Sequence, residues 1–228
     1  MLNRRISRVW ANLPSQCRIC HTWPSQPVCD ACVARFAQPV PRCATCSLPL
    51  PEGCRQCGAC LVTSPPLDQC LAAVGYAYPW SRLIRDYKFH AQPGLARSLA
   101  MLWWATPSIK PAIDDADLLI PMPLTAQRLR ERGYNQATLL AFQLSRFKTH
   151  SDLLIRVQDT PAQHTLGREQ RLTMLRNAFT MEVDLPLGSR VVLVDDVMTT
   201  GASLHSAARV LRAAGASHIT GLVIARTE

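Results

Sequence analysis

The sequence lacks any apolar run of the length that crosses a bilayer, which for a helix is about 18–20 residues. Residues 1–17 also lack the apolar core of about 7–15 residues that a secretory signal peptide requires. These two absences predict a cytoplasmic protein that does not insert into a membrane. With 228 residues, 48% of them hydrophobic, the chain is long enough for one full domain, or for one domain with a small additional module.

Cysteine is missing from the last 158 residues, because all ten cysteines lie between Cys17 and Cys70. This asymmetry predicts two modules, a cysteine-rich one over residues 1–70 and a second one over residues 71–228. The first module has nine prolines and few large apolar residues, so a hydrophobic core alone would not stabilise it. A structural metal is one way to replace such a core.

Eight of the cysteines form four Cys-x-x-Cys pairs, the spacing of closed structural zinc sites with four thiolates each. A reducing cytoplasm argues against disulfides. The most economical pairing gives two zinc sites, one from Cys17, Cys20, Cys29 and Cys32, the other from Cys43, Cys46, Cys57 and Cys60. A cross-braced pairing is the alternative, and Cys54 also stands at Cys-x-x-Cys spacing from Cys57. Cys70 and His21 are left over in this scheme.

Acidic residues are the scarcer charged type, and the formal net charge is +9. Two filled four-thiolate zinc sites, each with a net charge of −2, would lower this charge to about +5. Residues 71–228 still hold 18 Lys and Arg against 13 Asp and Glu. Such a basic surface is either simply solvated or fits a phosphate-rich ligand or nucleic acid.

The second module alternates aliphatic runs with helical patterns. Strands are predicted over residues 70–78, 117–124, 153–157, 190–196 and 218–226, and helices over residues 81–89, 94–105, 135–147, 168–179 and 202–215. Within the second helix, Trp103 and Trp104 are predicted to lie in the core. Strands that alternate with helices and lack polar alternation indicate an α/β fold with a parallel sheet.

One predicted strand, Val191–Val194, runs directly into the adjacent acids Asp195 and Asp196. The carboxyl ends of parallel strands lie where ligands bind, so these acids need not be buried. The following residues supply hydroxyl groups and a glycine, at Thr199, Thr200, Gly201 and Ser203. Together with the first N–H groups of the next helix, they suit a phosphate monoester. The two carboxylates suit the hydroxyls of a ribose and can help to hold Mg²⁺. An acidic turn before an ordinary helix cap is the alternative.

The stretch VVLVDDVMTTGAS (191–203) resembles the phosphoribosyl pyrophosphate (PRPP) signature of type I phosphoribosyltransferases. The resemblance implies that Asp195 and Asp196 bind the ribose hydroxyls. It further implies that a loop wraps the 5-phosphate, consisting of Met198, Thr199, Thr200, Gly201, Ala202 and Ser203.

The wider chain resembles the ComF family, also called the GntX or competence-protein-F group. The shared features are the Cys-x-x-Cys pairs, YKF (87–89), IPMPL (120–124), RGYNQ (132–136) and the spaced set Thr160, Gln163, Leu166, Arg171, Asn177 and Phe179. This resemblance covers almost the whole chain. It implies a type I phosphoribosyltransferase fold, with a parallel sheet flanked by helices, preceded by a small four-cysteine zinc-ribbon module.

The loop formed by Pro121, Met122 and Pro123 follows a predicted strand, and in type I enzymes the equivalent loop receives pyrophosphate. The family commonly has a small aliphatic residue where Met122 stands. A turn that only ends the strand is the alternative. Asn135 is predicted either to touch substrate or to cap the helix that follows it.

Basic residues complete the predicted PRPP site. Guanidinium groups pair bidentately with phosphates, and Arg132 is favoured as a catalytic group beside the two aspartates, while its neighbours at 128 and 130 also fit a solvated face. Lys88 lies in the family-like YKF segment. Residues 156–172, which include Arg156 and Arg171, resemble the lid that would close over PRPP and exclude water; a surface excursion is the alternative.

Two functions follow from the resemblance. The first is a phosphoribosyltransferase that uses PRPP with Mg²⁺ and has a role in DNA uptake or utilisation, with contacts to the uptake machinery. In that reaction Mg²⁺ and basic side chains would neutralise the departing pyrophosphate, while the sequence does not identify the acceptor. The second is a non-catalytic protein that binds single-stranded DNA or senses PRPP, with Trp23 or Trp80 available to stack on bases.

Overall fold

A computed structural model of the chain describes residues 15–157 and 178–228. By internal contacts the chain divides into two compact units, Met1–Gln38 and Pro39–Glu228. This division falls before the second group of cysteines, which therefore belongs to the same compact unit as the sheet. The module boundary at residue 70 stays a prediction.

The smaller unit contains a Cys-x-x-Cys turn followed by one short helix, α1 (Asp30–Phe36). In the turn, the backbone N–H of His21 donates to the carbonyl of Cys17 at 2.9 Å, and His21 adopts a left-handed conformation with φ 62°. Cys29 is the N-cap residue of α1, and Cys32 lies buried within the helix. The second cysteine pair of this unit is therefore presented by a helix start.

The larger unit repeats this local structure. Here the N–H of Ser47 donates to the carbonyl of Cys43 at 2.8 Å, and Ser47 has a φ of 60°. Cys57 is the N-cap residue of helix α2 (Gly58–Val62), which contains the buried Cys60. The two cysteine-rich stretches are thus tandem copies of one motif.

The larger unit contains a parallel four-stranded sheet and a separate two-stranded ribbon. Its strands are β1 (Gln69–Gly75), β2 (Leu118–Pro121), β3 (Leu154–Arg156), β4 (Phe179–Met181), β5 (Arg190–Met198) and β6 (His218–Arg226). The sheet has the order β1-β6-β5-β2, and all three pairings are parallel. The predicted parallel α/β fold is confirmed.

Helices connect these strands. They are α3 (Trp80–Phe89), α4 (Leu95–Trp104), α5 (Ile109–Asp114), α6 (Ala126–Arg132), α7 (Gln136–Leu144) and α8 (Ala202–Ala213). The short helices α5 and α6 are absent from the sequence prediction. Helix α6 begins because the Thr125 side chain accepts a hydrogen bond from the N–H of Arg128, and it ends at Gly133 in a left-handed conformation. Within the described ranges, none of the helices combines the length and the apolar composition needed to cross a bilayer.

The ribbon of β3 and β4 corrects two sequence predictions. The strand predicted over residues 153–157 does form, but it pairs antiparallel with β4 and takes no part in the parallel sheet. Phe179, predicted to end a helix, lies in β4, and the rest of that predicted helix, residues 168–177, lies outside the described residues. A short aliphatic run does not reveal which strand it pairs with. Here the partner strand, β4, begins with Phe and Thr, two residues that favour β-structure.

The tryptophan prediction is half right. Trp103 is fully buried, and its indole Nε1 donates to the carbonyl of Val223 in β6 at 2.8 Å. Trp104 is 45% exposed, so its placement in the core was wrong. Adjacent residues of a helix point about 100° apart, so a tryptophan next to a core position commonly lies at the edge of the core.

Candidate functional site

A pocket opens at the carboxyl ends of β2 and β5. Eight of the residues that line it belong to the predicted PRPP site: Lys88, Met122, Pro123, Arg132, Arg156, Asp195, Asp196 and Ser203. They come from several separate segments of the chain. The parallel sheet brings them together because the carboxyl ends of neighbouring parallel strands share one edge.

Asp196 forms an ion pair with Lys88, whose Nζ lies 2.9 Å from the aspartate Oδ1. Asp196 is only 4% exposed, and burial of a carboxylate is tolerated when a cation is paired with it. Lys88 reaches this position from the C-terminal turn of α3. The structure thereby supplies the local role that the sequence did not give for this lysine.

Asp195 lies beside Asp196 and is half-buried at the end of β5. Burial and the negative charge of Asp196 raise the pKa of Asp195 to about 7, although Lys88 opposes this shift. The N–H of Asp196 also donates to Oδ1 of Asp195 at 2.8 Å. The two neighbouring acids therefore differ in their partners: Asp196 is paired with Lys88, whereas Asp195 changes its charge near neutral pH.

Two family-like motifs, YKF (87–89) and RGYNQ (132–136), bind each other around Lys88. The hydroxyl of Tyr87 donates to the carbonyl of Gln136 at 2.8 Å, and the hydroxyl of Tyr134 donates to the carbonyl of Tyr87. The Gln136 side-chain amide donates to the carbonyl of Lys88 at 3.4 Å. These bonds fix the backbone from which the lysine reaches Asp196.

Asn135 ties the loop after β2 to helix α7. Its Oδ1 caps the helix by accepting from the N–H groups of Ala137 at 2.9 Å and Thr138 at 3.3 Å. Its Nδ2 donates to the carbonyl of Met122 at 3.0 Å, and Asn135 also lines the pocket. The predicted capping role is thus present, with a position at the pocket besides. Pro121, the last residue of β2, is buried in register with Val194.

Three arginines are among the residues that line the pocket. Arg132 lines it, and the Arg132 guanidinium lies 5.1 Å from the centre of the Phe89 ring, which is 63% exposed. Arg128, one helical turn earlier on α6, also lines the pocket. Its spacing of four residues from Arg132 was the available signal for this shared face. Arg156 lines the pocket from β3, whereas Arg171 lies outside the described residues.

The loop between β5 and α8, residues 198–203, is called the phosphate loop below. The Met198 side chain is buried, with its Sδ 3.5 Å from the Sγ of Cys70, so it belongs to the core. Thr199 and Thr200 are exposed beyond the end of the strand, and Ala202 begins α8. Of the loop's residues, only Ser203 is among those that line the pocket.

Gly201 is the residue of the phosphate loop whose identity the backbone dictates. It has a φ of 81°, in the left-handed region. An added Cβ would lie 2.3 Å from Cε of Met198 and 2.9 Å from Nε2 of His205. The conformation disfavours a side chain, and a Cβ would also require the ends of the Met198 and His205 side chains to move.

The cysteine clusters have the geometry of two zinc sites. In each of the two predicted sets of four, all Sγ atoms lie within 4.8 Å of one another. Zinc–sulfur bonds of about 2.3 Å place tetrahedral thiolates about 3.8 Å apart. The measured Sγ–Sγ distances include 3.9 Å for Cys17–Cys32, 3.6 Å for Cys20–Cys29 and 3.6 Å for Cys46–Cys57.

The simple sequential pairing of the cysteines is therefore confirmed over the cross-braced one. Cys54 and His21 are exposed and belong to neither cluster, and Cys70 is buried in the core. Burial alone would raise the pKa of Cys43, but hydrogen bonds from the backbone around Cys57 and Cys46 lower it to about 6. The backbone thus favours the thiolate of Cys43, the form that binds zinc, whereas burial and the neighbouring thiols raise the pKa of Cys46 and Cys60.

Residues 156–227 match the family described as the phosphoribosyl transferase domain. With the parallel sheet and the acid pair at the end of β5, this match defines a phosphoribosyltransferase-like domain.

Relatives define the family more closely. Competence protein F of Haemophilus influenzae is 35% identical over 214 residues, covering 87% of this chain and 90% of that protein. DNA utilization protein YhgH of Escherichia coli (strain K12) is 31% identical over 206 residues, covering 88% of this chain and 90% of that protein. Competence protein ComFC of Bacillus subtilis is 36% identical over 111 residues, covering 48% of this chain and 45% of that protein. The chain belongs to the ComF family of competence and DNA-utilisation proteins.

Proposed function

We propose that the pocket at the end of β5 binds PRPP together with Mg²⁺, and that the protein transfers the phosphoribosyl group to an acceptor during DNA uptake or utilisation. The observation that carries this proposal is the presence of both signs of charge in one pocket. The pocket is lined by the acids Asp195 and Asp196 and by the basic residues Arg128, Arg132 and Arg156. PRPP needs both, because its ribose offers hydroxyl donors and its phosphates are anions.

The side chains have distinct parts in this proposal. The carboxylates of Asp195 and Asp196 would accept hydrogen bonds from the ribose hydroxyls and hold Mg²⁺ directly or through water. Mg²⁺, when bound, would neutralise charge on the departing pyrophosphate. Arg132 and Arg128 would bind the same pyrophosphate, and the N–H groups at the start of α8 would bind the 5-phosphate. Lys88 would hold the Asp196 carboxylate in place through their ion pair.

The relatives support the biological setting. Their names refer to competence and to DNA utilisation. We extend that setting to this chain as part of the proposal, with the DNA-uptake machinery as the expected partner. The acceptor would then be a nucleophile that is generated near imported DNA.

Calorimetric titration of the zinc-loaded protein with PRPP, with and without Mg²⁺, tests the proposal. We expect binding that strengthens with Mg²⁺ and is lost in Asp195→Asn. The matched control is Asp184→Asn, which removes the same charge at an exposed site and should bind like the wild type. A folded wild-type protein that does not bind PRPP would contradict the proposal.

Binding of single-stranded DNA is a second candidate function. The observation that favours it is the exposed Phe89 ring beside the pocket, with Arg132 on one face. Nucleobases stack on such rings, and arginine supplies contacts to phosphate. Trp80 cannot stack on bases as predicted, because it is 2% exposed, whereas Trp23 in the smaller unit is 62% exposed.

Fluorescence anisotropy of a labelled oligonucleotide tests this second function. Phe89→Ala should weaken binding by about 1–3 kcal/mol if one base stacks there, and binding should fall as salt rises. Phe147→Ala is the matched control, because Phe147 is 98% exposed and does not line the pocket. Equal effects of the two substitutions would argue against a specific stacking site.

A further inference from the structure

Arg226, the last residue of β6, is a buried arginine outside the motifs predicted to bind PRPP. It is 8% exposed. Among the described residues, none of the salt bridges involves Arg226. Its hydrogen bonds within this part of the chain go chiefly to backbone carbonyls. A buried guanidinium with such partners needs an explanation, because an uncompensated buried charge is costly.

Among the described residues, four carbonyls accept hydrogen bonds from Arg226; one is that of the neighbouring Thr227, and the other three belong to two different sites. Nε donates to the carbonyl of Cys46, in the second cysteine cluster, at 3.0 Å. Nη1 donates to the carbonyl of Met198 at 3.2 Å and to that of Thr199. One guanidinium thus bridges the second cluster and the first two residues of the phosphate loop.

Further contacts join the same two regions. The N–H of Cys70 in β1 donates to the carbonyl of Ala44, between two cysteines of the second cluster, at 3.0 Å. The Sγ of Cys70 lies 3.5 Å from Sδ of Met198. The four cysteines of the second cluster also share one hydrophobic core with Cys70, Met198 and Leu204 of α8. The cluster is therefore packed beneath the phosphate loop.

Zinc bound in the second cluster would supply the negative charge that compensates the buried guanidinium of Arg226. Its four thiols have the mutual distances of a tetrahedral site, and a zinc ion with four thiolates carries a net charge of −2. This negative group would lie next to Arg226 through Cys46. The same chemistry would explain why the arginine is buried although no carboxylate of the described residues pairs with it.

We propose that Arg226 is a positioning residue that couples zinc in the second cluster to the shape of the phosphate loop. The inference rests on the proposed function only for the identity of the ligand. A loop that binds an anion must direct its carbonyl oxygens away from the anion and leave its N–H groups free. Arg226 holds the carbonyls of Met198 and Thr199 on the side of the second cluster, and zinc fixes the position of Arg226.

Hydrogen exchange of the zinc-loaded, ligand-free protein tests the coupling directly. Arg226→Met keeps most of the side-chain volume but removes the donors, and Arg226→Lys keeps the charge but loses the planar fork. We expect exchange of the His205 and Thr227 N–H groups, which donate to the loop carbonyls of Gly201 at 2.8 Å and Met198 at 3.0 Å, to rise at least about tenfold in Arg226→Met. This is the effect of losing one hydrogen bond from a charged donor, and the rise should be smaller in Arg226→Lys.

Arg212→Met is the matched control, because Arg212 also donates to two backbone carbonyls, those of Ala216 and Ser217. It should leave exchange of the His205 and Thr227 N–H groups unchanged. An Arg226→Met protein that retains zinc and shows wild-type exchange there would overturn the proposal. If Arg226→Met does not fold, Arg226→Lys decides, because unchanged exchange in that variant has the same meaning.

A pair of cysteine variants tests the part played by the metal. Cys32 and Cys60 occupy equivalent positions in the two copies of the cysteine motif. Cys60→Ser should raise exchange of the His205 and Thr227 N–H groups, whereas Cys32→Ser should not. Equal effects of the two variants would overturn the assignment of the coupling to the second cluster.

Titration with PRPP and Mg²⁺ separates the two proposals. Arg226→Met should bind PRPP at least about tenfold more weakly than the wild type, for the same lost hydrogen bond. If the wild type does not bind PRPP while the exchange differences persist, the proposed ligand is wrong and the coupling stands. If the wild type binds and Arg226→Met matches it in both affinity and exchange, the coupling is wrong.

Discussion

Replacing Asp195 by asparagine should stabilise the ligand-free protein while it abolishes binding of PRPP. The pKa of Asp195 rises from its ordinary value of 3.8 to about 7 in the folded protein, because burial and the charge of Asp196 disfavour the ionised form. At high pH, where Asp195 is ionised, its charge therefore lowers the free energy of unfolding. A pKa difference of that size corresponds to at most about 4 kcal/mol, which asparagine would recover because it carries no charge.

The pH dependence of the gain identifies its cause. For a group whose folded pKa is raised, the contribution to stability is fully present below pH 3.8 and is lost as the pH rises through about 7. The advantage of Asp195→Asn should thus reach at most about 4 kcal/mol at pH 8, fall to at most about 2 kcal/mol at pH 5, and vanish near pH 4.

Urea unfolding of zinc-loaded wild type and variant, compared at each pH, measures this difference. Asp196→Asn should do the reverse, costing about 1.5–3 kcal/mol, because it removes the charge that pairs with Lys88 at 2.9 Å. A gain for Asp195→Asn that is the same at pH 5 and pH 8, or no gain at pH 8, would refute the reasoning.

The remaining predictions concern ligand binding, backbone conformation and metal content. Affinity for PRPP with Mg²⁺, measured by calorimetry, should rise with pH through about 7 as Asp195 ionises, and Lys88→Met should move this rise to higher pH because Lys88 lowers the pKa of Asp195. In urea unfolding, Gly201→Ala should cost clearly more than Gly133→Ala; both glycines have a left-handed φ, a cost of roughly 1–2 kcal/mol, but only at Gly201 does a Cβ meet other atoms. Elemental analysis should find two zinc ions per chain in the wild type and in Cys54→Ser, and one when a cysteine of either cluster is changed to serine.

The elements that the sequence predicted well are those with a strong local signal. The fixed spacing of the cysteines specified two metal clusters, because a tetrahedral site needs four ligands that are close in space. The aliphatic run before Asp195 and Asp196 placed a buried strand and the loop after it. In a parallel sheet the carboxyl ends share an edge, so the pocket could also be located.

The features that the sequence did not show depend on contacts between distant segments. The partner of Lys88 is Asp196, more than a hundred residues away, and neither neighbourhood points to the other. The same holds for Arg226, whose carbonyl partners lie in the cysteine motif and in the phosphate loop. The exposure of Trp104 is a matter of helix orientation, which short apolar runs define poorly.

The duplication of the cysteine motif has a consequence for how metal content should be interpreted. One copy lies in the unit Met1–Gln38, and the other shares the core of the unit that holds the pocket. A preparation with one zinc ion per chain can therefore consist of two kinds of molecule, one with zinc in the first cluster and the other with zinc in the second. If Arg226 couples the second cluster to the phosphate loop as proposed, molecules that have lost the first ion should keep an intact pocket, whereas those that have lost the second should not. Quality control of this protein should therefore assign the metal to a site as well as count it.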